Sequence, residues 1–207
     1  MLKNVVCCVP LSWAYVPSLF FRSWCEMQSY GTSVYHMSFV TTQSCYMDIM
    51  REELVTAAMK HMPDYILWLD ADQTYPRETI EILMEHIDSG KVIVGGITPD
   101  KDDGTPLIYD IVHDNPSGII KRRKVRPDSG MVKVDAMGFG GIMTHPSVFT
   151  TLLKPPFFDM KWDTRLKSRP GEDVQFYLRC KEAKIDVYCD TNLPYDHVVV
   201  RQIGHKR

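Results

Sequence analysis

The sequence predicts an α/β protein, with a mostly parallel central sheet flanked by helices and a smaller mixed second half. Three observations carry that reading. Short apolar runs alternate four times with helix-like stretches before residue 98, the pattern of strands joined by crossover helices. Beyond residue 99 the alternation breaks into short runs between Gly, Pro and Asp turns. No linker is long enough to separate two domains, so residues 1–207 read as one domain with halves at 1–98 and 99–207.

Val5–Val9 is an apolar run ended by Pro10, which makes it the first strand. Trp13–Tyr30 carries apolar residues at helical spacing, and Gly31 stops it. Val34–Val40 is a second strand. After the polar turn at 41–44, Met47–Met62 is a helix that must end before Pro63. Tyr65–Leu69 is a short run of aromatic and branched residues, a buried third strand, and a helix runs from Pro76 to about Ile87. Lys91–Ile97 is a strand closed by Gly95 and Gly96. In the second half, Pro106–His113, Gly118–Lys121 and Met131–Val134 read as short strands. Met137–Thr144 is glycine-rich and apolar, and Pro146–Leu153 is a short helix. A helix at Gly171–Lys184 and strands at Asp186–Asp190 and His197–Arg201 complete the chain.

Composition removes several function classes. With 44% hydrophobic and 24% charged residues the chain is an ordinary globular protein. A net charge of −2 implies no global attraction to nucleic acid or anionic membranes. No apolar run approaches the ~20 residues of a membrane span, and the run near the amino terminus is too short for a signal-peptide core. The six cysteines make no Cys-x-x-Cys pair. They read as reduced, buried thiols, which places the protein in the cytoplasm.

The third strand ends in two carboxylates, Asp70 and Asp72. On an extended backbone, residues i and i+2 face the same side. Both would then project from the carboxyl end of a buried strand, where open α/β sheets bind ligands. Like charges so close repel unless a cation, a donor or a shared proton sits between them, and Mg²⁺ or Mn²⁺ is the natural partner because it suits carboxylate and phosphate oxygens. The plain alternative is a solvated turn in which Asp72 caps the next helix. Two enzyme classes carry such a pair: nucleotide-sugar glycosyltransferases, and haloacid-dehalogenase-like phosphatases, whose Asp-x-Asp-x-Thr signature is matched by Asp70, Asp72 and Thr74. The phosphatase would use Asp70 as nucleophile near the start of its domain. Here two strand–helix units come first.

Four features in order decide between them: Asp70-Ala71-Asp72, the loop Met137-Gly138-Phe139-Gly140-Gly141, Gly171-Glu172-Asp173, and His197. Together they resemble a GT-A fold glycosyltransferase, nearest to glycosyltransferase family 2, over roughly Val5–Val200. The resemblance implies a metal-dependent transfer from a nucleoside-diphosphate sugar, UDP favoured over GDP, to an acceptor hydroxyl. The acceptor could be a glycan, a lipid-linked group, a protein or a modified nucleic acid. It implies that Asp72 and His197 hold a divalent cation and that Asp70 contacts the ribose or the ion. Asp173 would be the general base of an inverting reaction, with Glu172 positioning the acceptor. Pro10 and Ser12 would lie by the nucleotide base, Gly140 and Gly141 by the donor sugar, and Arg51 by the diphosphate or in a structural contact.

Each residue also has a plainer reading. Glu172 and Asp173 suit any helix amino terminus. The glycines could relieve strand crowding. Trp162 could stack on a sugar or belong to the core. The other six histidines read as core or surface residues. The basic run Lys121–Arg126 reads as a solvated hairpin tip or, more sharply, as a contact for an anionic acceptor. The Gln-x-x-Arg-Trp motif of processive membrane synthases is absent, which favours single transfers. A protein that keeps the fold and binds nucleotide sugars without turnover is the remaining alternative.

Overall fold

The computed structural model describes residues 2–11, 15–31, 34–44, 46–112, 119–123, 129–164 and 168–199. The first half follows the predicted alternation: β1 (Lys3–Pro10), α1 (Ser18–Gly31), β2 (Tyr35–Thr42), α2 (Met47–Met59), β3 (Tyr65–Trp68), β4 (Gln73–Thr74), α3 (Thr79–Asp88) and β5 (Ile93–Ile97). The second half supplies β6 (Ile108–Val112), β7 (Ile119–Arg122), β8 (Met131–Val134), β9 (Ala136–Met137), β10 (Ile142–Thr144), α4 (Glu172–Glu182), β11 (Val187–Pro194) and β12 (Asp196–His197).

Seven strands form the central sheet in the order β2-β1-β3-β10-β5-β11-β8. β1, β2, β3, β5 and β11 run one way; β10 and β8 run against them. The sheet is therefore mostly parallel, as expected. Strands from both halves interleave in it: β10, from the glycine-rich run, sits between β3 and β5.

Both faces are covered, which explains why the strands read as continuous apolar runs. Val6 and Cys8 of β1 and Ile66 and Trp68 of β3 face a core with Leu54 and Ala58 of α2 and Phe176 of α4. The alternate residues Val5, Cys7, Tyr65 and Leu67 face a second core with Phe20 of α1 and Ile80 and Leu83 of α3. An aromatic cluster fills the first core. Phe139 meets Trp68, Phe158 and Phe176 at centroid distances of 5.2–5.4 Å.

Several predicted elements differ: α1 starts at Ser18 rather than Trp13, α2 ends at Met59 rather than Met62, β11 runs on to Pro194 rather than Asp190, and three others change more. The helix after the carboxylates starts at Thr79 rather than Pro76, since 76–78 form a turn bonded through Thr79 N to Pro76 O. The expected helix at 146–153 is a five-residue π-type turn, Val148–Leu152. Of the last strand only Asp196–His197 pairs, antiparallel to β4, and residues 200–201 lie outside the described set.

Candidate active site

The carboxyl ends of β1 and β3, the start of α4 and the loop after β5 surround one cleft of about 600 Å³. Pro10, Arg51, Asp70, Asp72, Glu172, Asp173 and His197 all line it. Ser12 lies outside the described residues.

Asp70 and Asp72 reach the cleft by a different route from the extended backbone expected. The β3 ladder stops at Trp68 and the chain turns at once, with Gln73 N donating to Asp70 O (3.2 Å). A buried tyrosine holds that turn. The Tyr75 hydroxyl accepts from Asp70 N (2.8 Å) and lies 3.1 Å from Asp70 O. Tyr75 is itself fixed by Ser23 of α1, whose hydroxyl accepts from Tyr75 N and donates to Tyr75 O. Asp72 caps no helix.

Arg51 ties two distant motifs together. Its Nη2 donates to Asp70 Oδ1 (3.2 Å) and its Nε to Glu172 Oε1 (3.1 Å). It is 3% exposed, and its guanidinium lies over the Phe139 ring, 4.4 Å from the centroid. Nη1 has no partner. A buried cation of this kind is stable only because carboxylates and an aromatic face replace its water. Burial pushes the Asp70 carboxyl up, the Arg51 charge pulls it back, and Asp72 adds repulsion.

At the start of α4, Asp173 stands beside Glu172. Asp173 Oδ1 accepts from Val174 N (2.7 Å). Gly171 makes room for it, since a Cβ there would meet that same oxygen at 2.8 Å. Burial, followed by the neighbouring Glu172 charge, pushes the Asp173 carboxyl up to about 6.

The far wall is looser. Lys101 Nζ donates to Asp72 Oδ2 (2.5 Å), and the two side chains are 52% and 29% exposed. His197 Nδ1 donates to the Pro99 carbonyl (2.5 Å), and its Nε2 lies 3.1 Å from Gln73 Nε2. The Pro99 bond makes Nε2 the lone-pair nitrogen, which accepts from the Gln73 amide. Among the described residues no three His, Cys, Asp or Glu side chains converge closely enough to hold a metal ion. The three expected ligands share the cleft but not one point, because Asp70 is drawn to Arg51, Asp72 to Lys101 and His197 to Pro99. Their chemistry fits a divalent ion all the same. Lys101 places a cation on Asp72, and an imidazole oriented by a backbone carbonyl is the usual form of a metal-binding histidine.

Gly140 and Gly141 do not line the cleft; Gly138 and Phe139 do. A Cβ on Gly140 would lie 2.8 Å from Asp70 Oδ2, and one on Gly141 would enter the Tyr195 ring at 2.0 Å. Gly141 also has φ +78°, which favours glycine. The Tyr195 hydroxyl donates to Gly141 O (2.9 Å) and accepts from Gly96 N (3.1 Å). The loop's glycines thus admit Asp70 and Tyr195, the crowding alternative.

Trp162 is 65% exposed, not core. Of the basic run, 124–126 lie outside the described residues, and Arg123 pairs with Asp110. Sequence reading missed Lys101, Gln73, Tyr75, Tyr195 and Phe139. Gln73 and Tyr75 had a cue, since they belong to the turn that bears the carboxylates. Lys101, Tyr195 and Phe139 act through contacts between distant segments.

Residues 54–141 match the family model described as glycosyl transferase family 2. The match takes in the end of α2, both carboxylates and the glycine loop; it begins after Arg51 and stops before Glu172. No curated protein matches by sequence. Among solved structures, the A197 protein from STIV superposes with a TM-score of 0.66 at 14% identity, covering 96% of this chain and 87% of that one. GalNAc-T7, solved with UDP, GalNAc and Mn²⁺, gives 0.57 at 11%, covering 96% and 44%. S. aureus TarS residues 1–349, in complex with UDP-GlcNAc, gives 0.55 at 12%, covering 99% and 60%. The chain spans less than half of GalNAc-T7 and three-fifths of that TarS chain. At these identities the likeness is one of fold. The chain has the GT-A fold, and the expected resemblance to glycosyltransferase family 2 is borne out. The family match supports a glycosyltransferase.

Proposed function

We propose that the protein transfers a sugar from a nucleoside-diphosphate sugar, UDP-linked in preference to GDP-linked, to an acceptor hydroxyl, one sugar at a time and with inversion. The observation that carries this is the Arg51 bridge. It joins the Asp70 turn to Glu172, so that a donor-side carboxylate and the Asp173 carboxylate face one cleft.

Asp173 is the general base in this reading. An acceptor hydroxyl is a weak nucleophile until its proton leaves during attack, and a positioned carboxylate supplies about 10²–10⁴-fold. With its carboxyl near 6, Asp173 is mostly ionised at neutral pH yet basic enough to accept that proton. Glu172, held by Arg51, positions the acceptor. Pro10 at the end of β1 borders the nucleotide base. A divalent cation, Mn²⁺ or Mg²⁺, would be held by Asp72, Asp70 and His197 and supply Lewis-acid help to the departing diphosphate. Before its Nε2 could serve, His197 must lose the Gln73 amide. Residues 1–98 supply most of the donor side, and 99–207 the base and acceptor side. Among the described residues no helix is long and apolar enough to cross a membrane. The five described cysteines are free, in keeping with our placement in the cytoplasm. Acceptor class is left open among glycan, lipid-linked group, protein and modified nucleic acid.

Incubation with a panel of nucleotide sugars and Mn²⁺ tests the reading. Slow release of UDP without acceptor is expected. Binding of UDP-sugars with no release under any condition would leave a non-catalytic binder, and phosphate release from a generic monoester, abolished by Asp70→Asn, a phosphatase. NMR of the first product from an α-linked donor should show a β linkage; a retained α linkage would remove Asp173 from the base role.

A further inference from the structure

The cleft has a charge problem. Among the described residues, Asp70, Asp72, Asp100, Asp102, Glu172 and Asp173 line it against two cations, Arg51 and Lys101. A diphosphate entering so acidic a site meets repulsion unless positive charge can be brought to it. Arg51 is 3% exposed and already shared between Asp70 and Glu172. Lys101 is the one half-exposed cation among the described residues lining the cleft.

The geometry around Lys101 suits a cation that changes partner. It sits in the loop between β5 and β6, near the tip of a closed stem. Asp100 N donates to Thr105 O (2.7 Å), Gly104 N to Asp100 O (3.1 Å) and Leu107 N to Thr98 O (2.8 Å), and Pro99 pairs with Pro106. The stem is anchored to the site, because Pro99 O is the acceptor of His197 Nδ1. The lysine head, by contrast, is held among the described residues by one ion pair to Asp72. An ammonium is a point charge on a flexible stem, able to turn from one oxygen anion to another without moving the backbone.

We propose that Lys101 is an exchangeable internal counter-ion: it neutralises Asp72 in the empty cleft and turns onto the donor diphosphate when the cleft loads. The inference rests on the donor-site reading above and adds a phosphate-contacting residue to it. In the empty protein Lys101 competes with a divalent ion for Asp72. In the loaded protein it adds a second positive charge to the leaving group. Its two effects therefore have opposite signs.

The test is calorimetric and needs no turnover. Full-length wild type and Lys101→Met are titrated with MnCl₂ alone, and then with UDP at saturating Mn²⁺. Removing an exposed ion pair should tighten Mn²⁺ binding up to about fivefold. Losing a charge-assisted phosphate contact should weaken UDP binding about tenfold or more. Lys101→Arg should restore most of the UDP affinity. Unchanged UDP affinity in Lys101→Met would overturn the proposal, as would Mn²⁺ binding that weakens. If UDP binds wild type equally well with chelator and Lys101→Met still weakens it, the metal reading fails while the phosphate contact stands. If wild type binds no UDP, both fall.

Discussion

The two walls of the cleft are built differently. The wall of Arg51, Asp70 and Glu172 is interlocked: one buried guanidinium, seated on Phe139, satisfies two carboxylates from α4 and the β3 turn. The wall of Asp72, Lys101 and His197 is half-exposed: Asp72 is held by an ion pair to Lys101, and His197 by the Pro99 carbonyl and the Gln73 amide. Fixed charge belongs where bond making demands a defined geometry, and exchangeable charge where a charged ligand must enter and leave. The difference teaches that the two carboxylates of Asp70-Ala71-Asp72 are held by unlike neighbours, one by the buried Arg51 and the other by the half-exposed Lys101. Asp70 belongs to the rigid wall and Asp72 to the adaptable one.

The largest expected effect breaks the rigid wall. Arg51→Met leaves Asp70 and Glu172 without their buried partner, so urea denaturation should show a loss of about 3–5 kcal/mol. Arg51→Lys should recover only part of it, since an ammonium cannot span both carboxylates as the guanidinium fork does. Gly141→Ala comes next. It forces a Cβ into the Tyr195 ring at positive φ, and a loss of about 2–4 kcal/mol is expected from strain and overpacking.

Asp173→Asn acts in the opposite direction on stability. The folded carboxyl is raised above its unfolded value of 3.8 to about 6, so the folded state favours the protonated form. Its contribution is fully present below pH ~4 and lost as pH rises through 6. At pH 7 the neutral amide should therefore stabilise by about 1–2 kcal/mol, a two-unit shift reduced for partial exposure. The gain should vanish by pH 4. Thermal melts at both pH values check the sign. The smallest effect sharpens the comparison: Lys101→Met should change stability by less than ~0.5 kcal/mol, since its ion pair is exposed.

The sequence made the strands and helices of the first half legible because each apolar run is short, continuous and bounded by Pro, Gly or charge. The antiparallel insertion of β10 was not. Ile142–Thr144 reads as one more apolar run, and nothing local says that it pairs between β3 and β5. Asp70, Asp72, Glu172, Asp173 and His197 were found from their order along the chain, and the fold brings them to one cleft. The same reading erred on how the carboxylates get there. It assumed a strand where Tyr75, Ser23 and the end of the β3 ladder impose a turn. It read Gly140 and Gly141 as donor-side glycines or as relief of crowding, and in the fold the missing side chains make room for Asp70 and Tyr195. Those pairings join residues 50 to 70 positions apart, beyond the reach of periodicity.

The central claim is that Asp173 is the base in a cleft that Arg51 preassembles. It is tested most directly by kcat/KM against pH from 5 to 8 for wild type and Asp173→Asn, with UDP affinity measured alongside. Wild type should rise with unit slope and level off above about pH 6. Asp173→Asn should bind UDP as wild type does, lose about 10²–10⁴-fold in rate, and lack that limb. A variant that turns over at near wild-type rate, or that keeps the same limb near pH 6, would contradict the account.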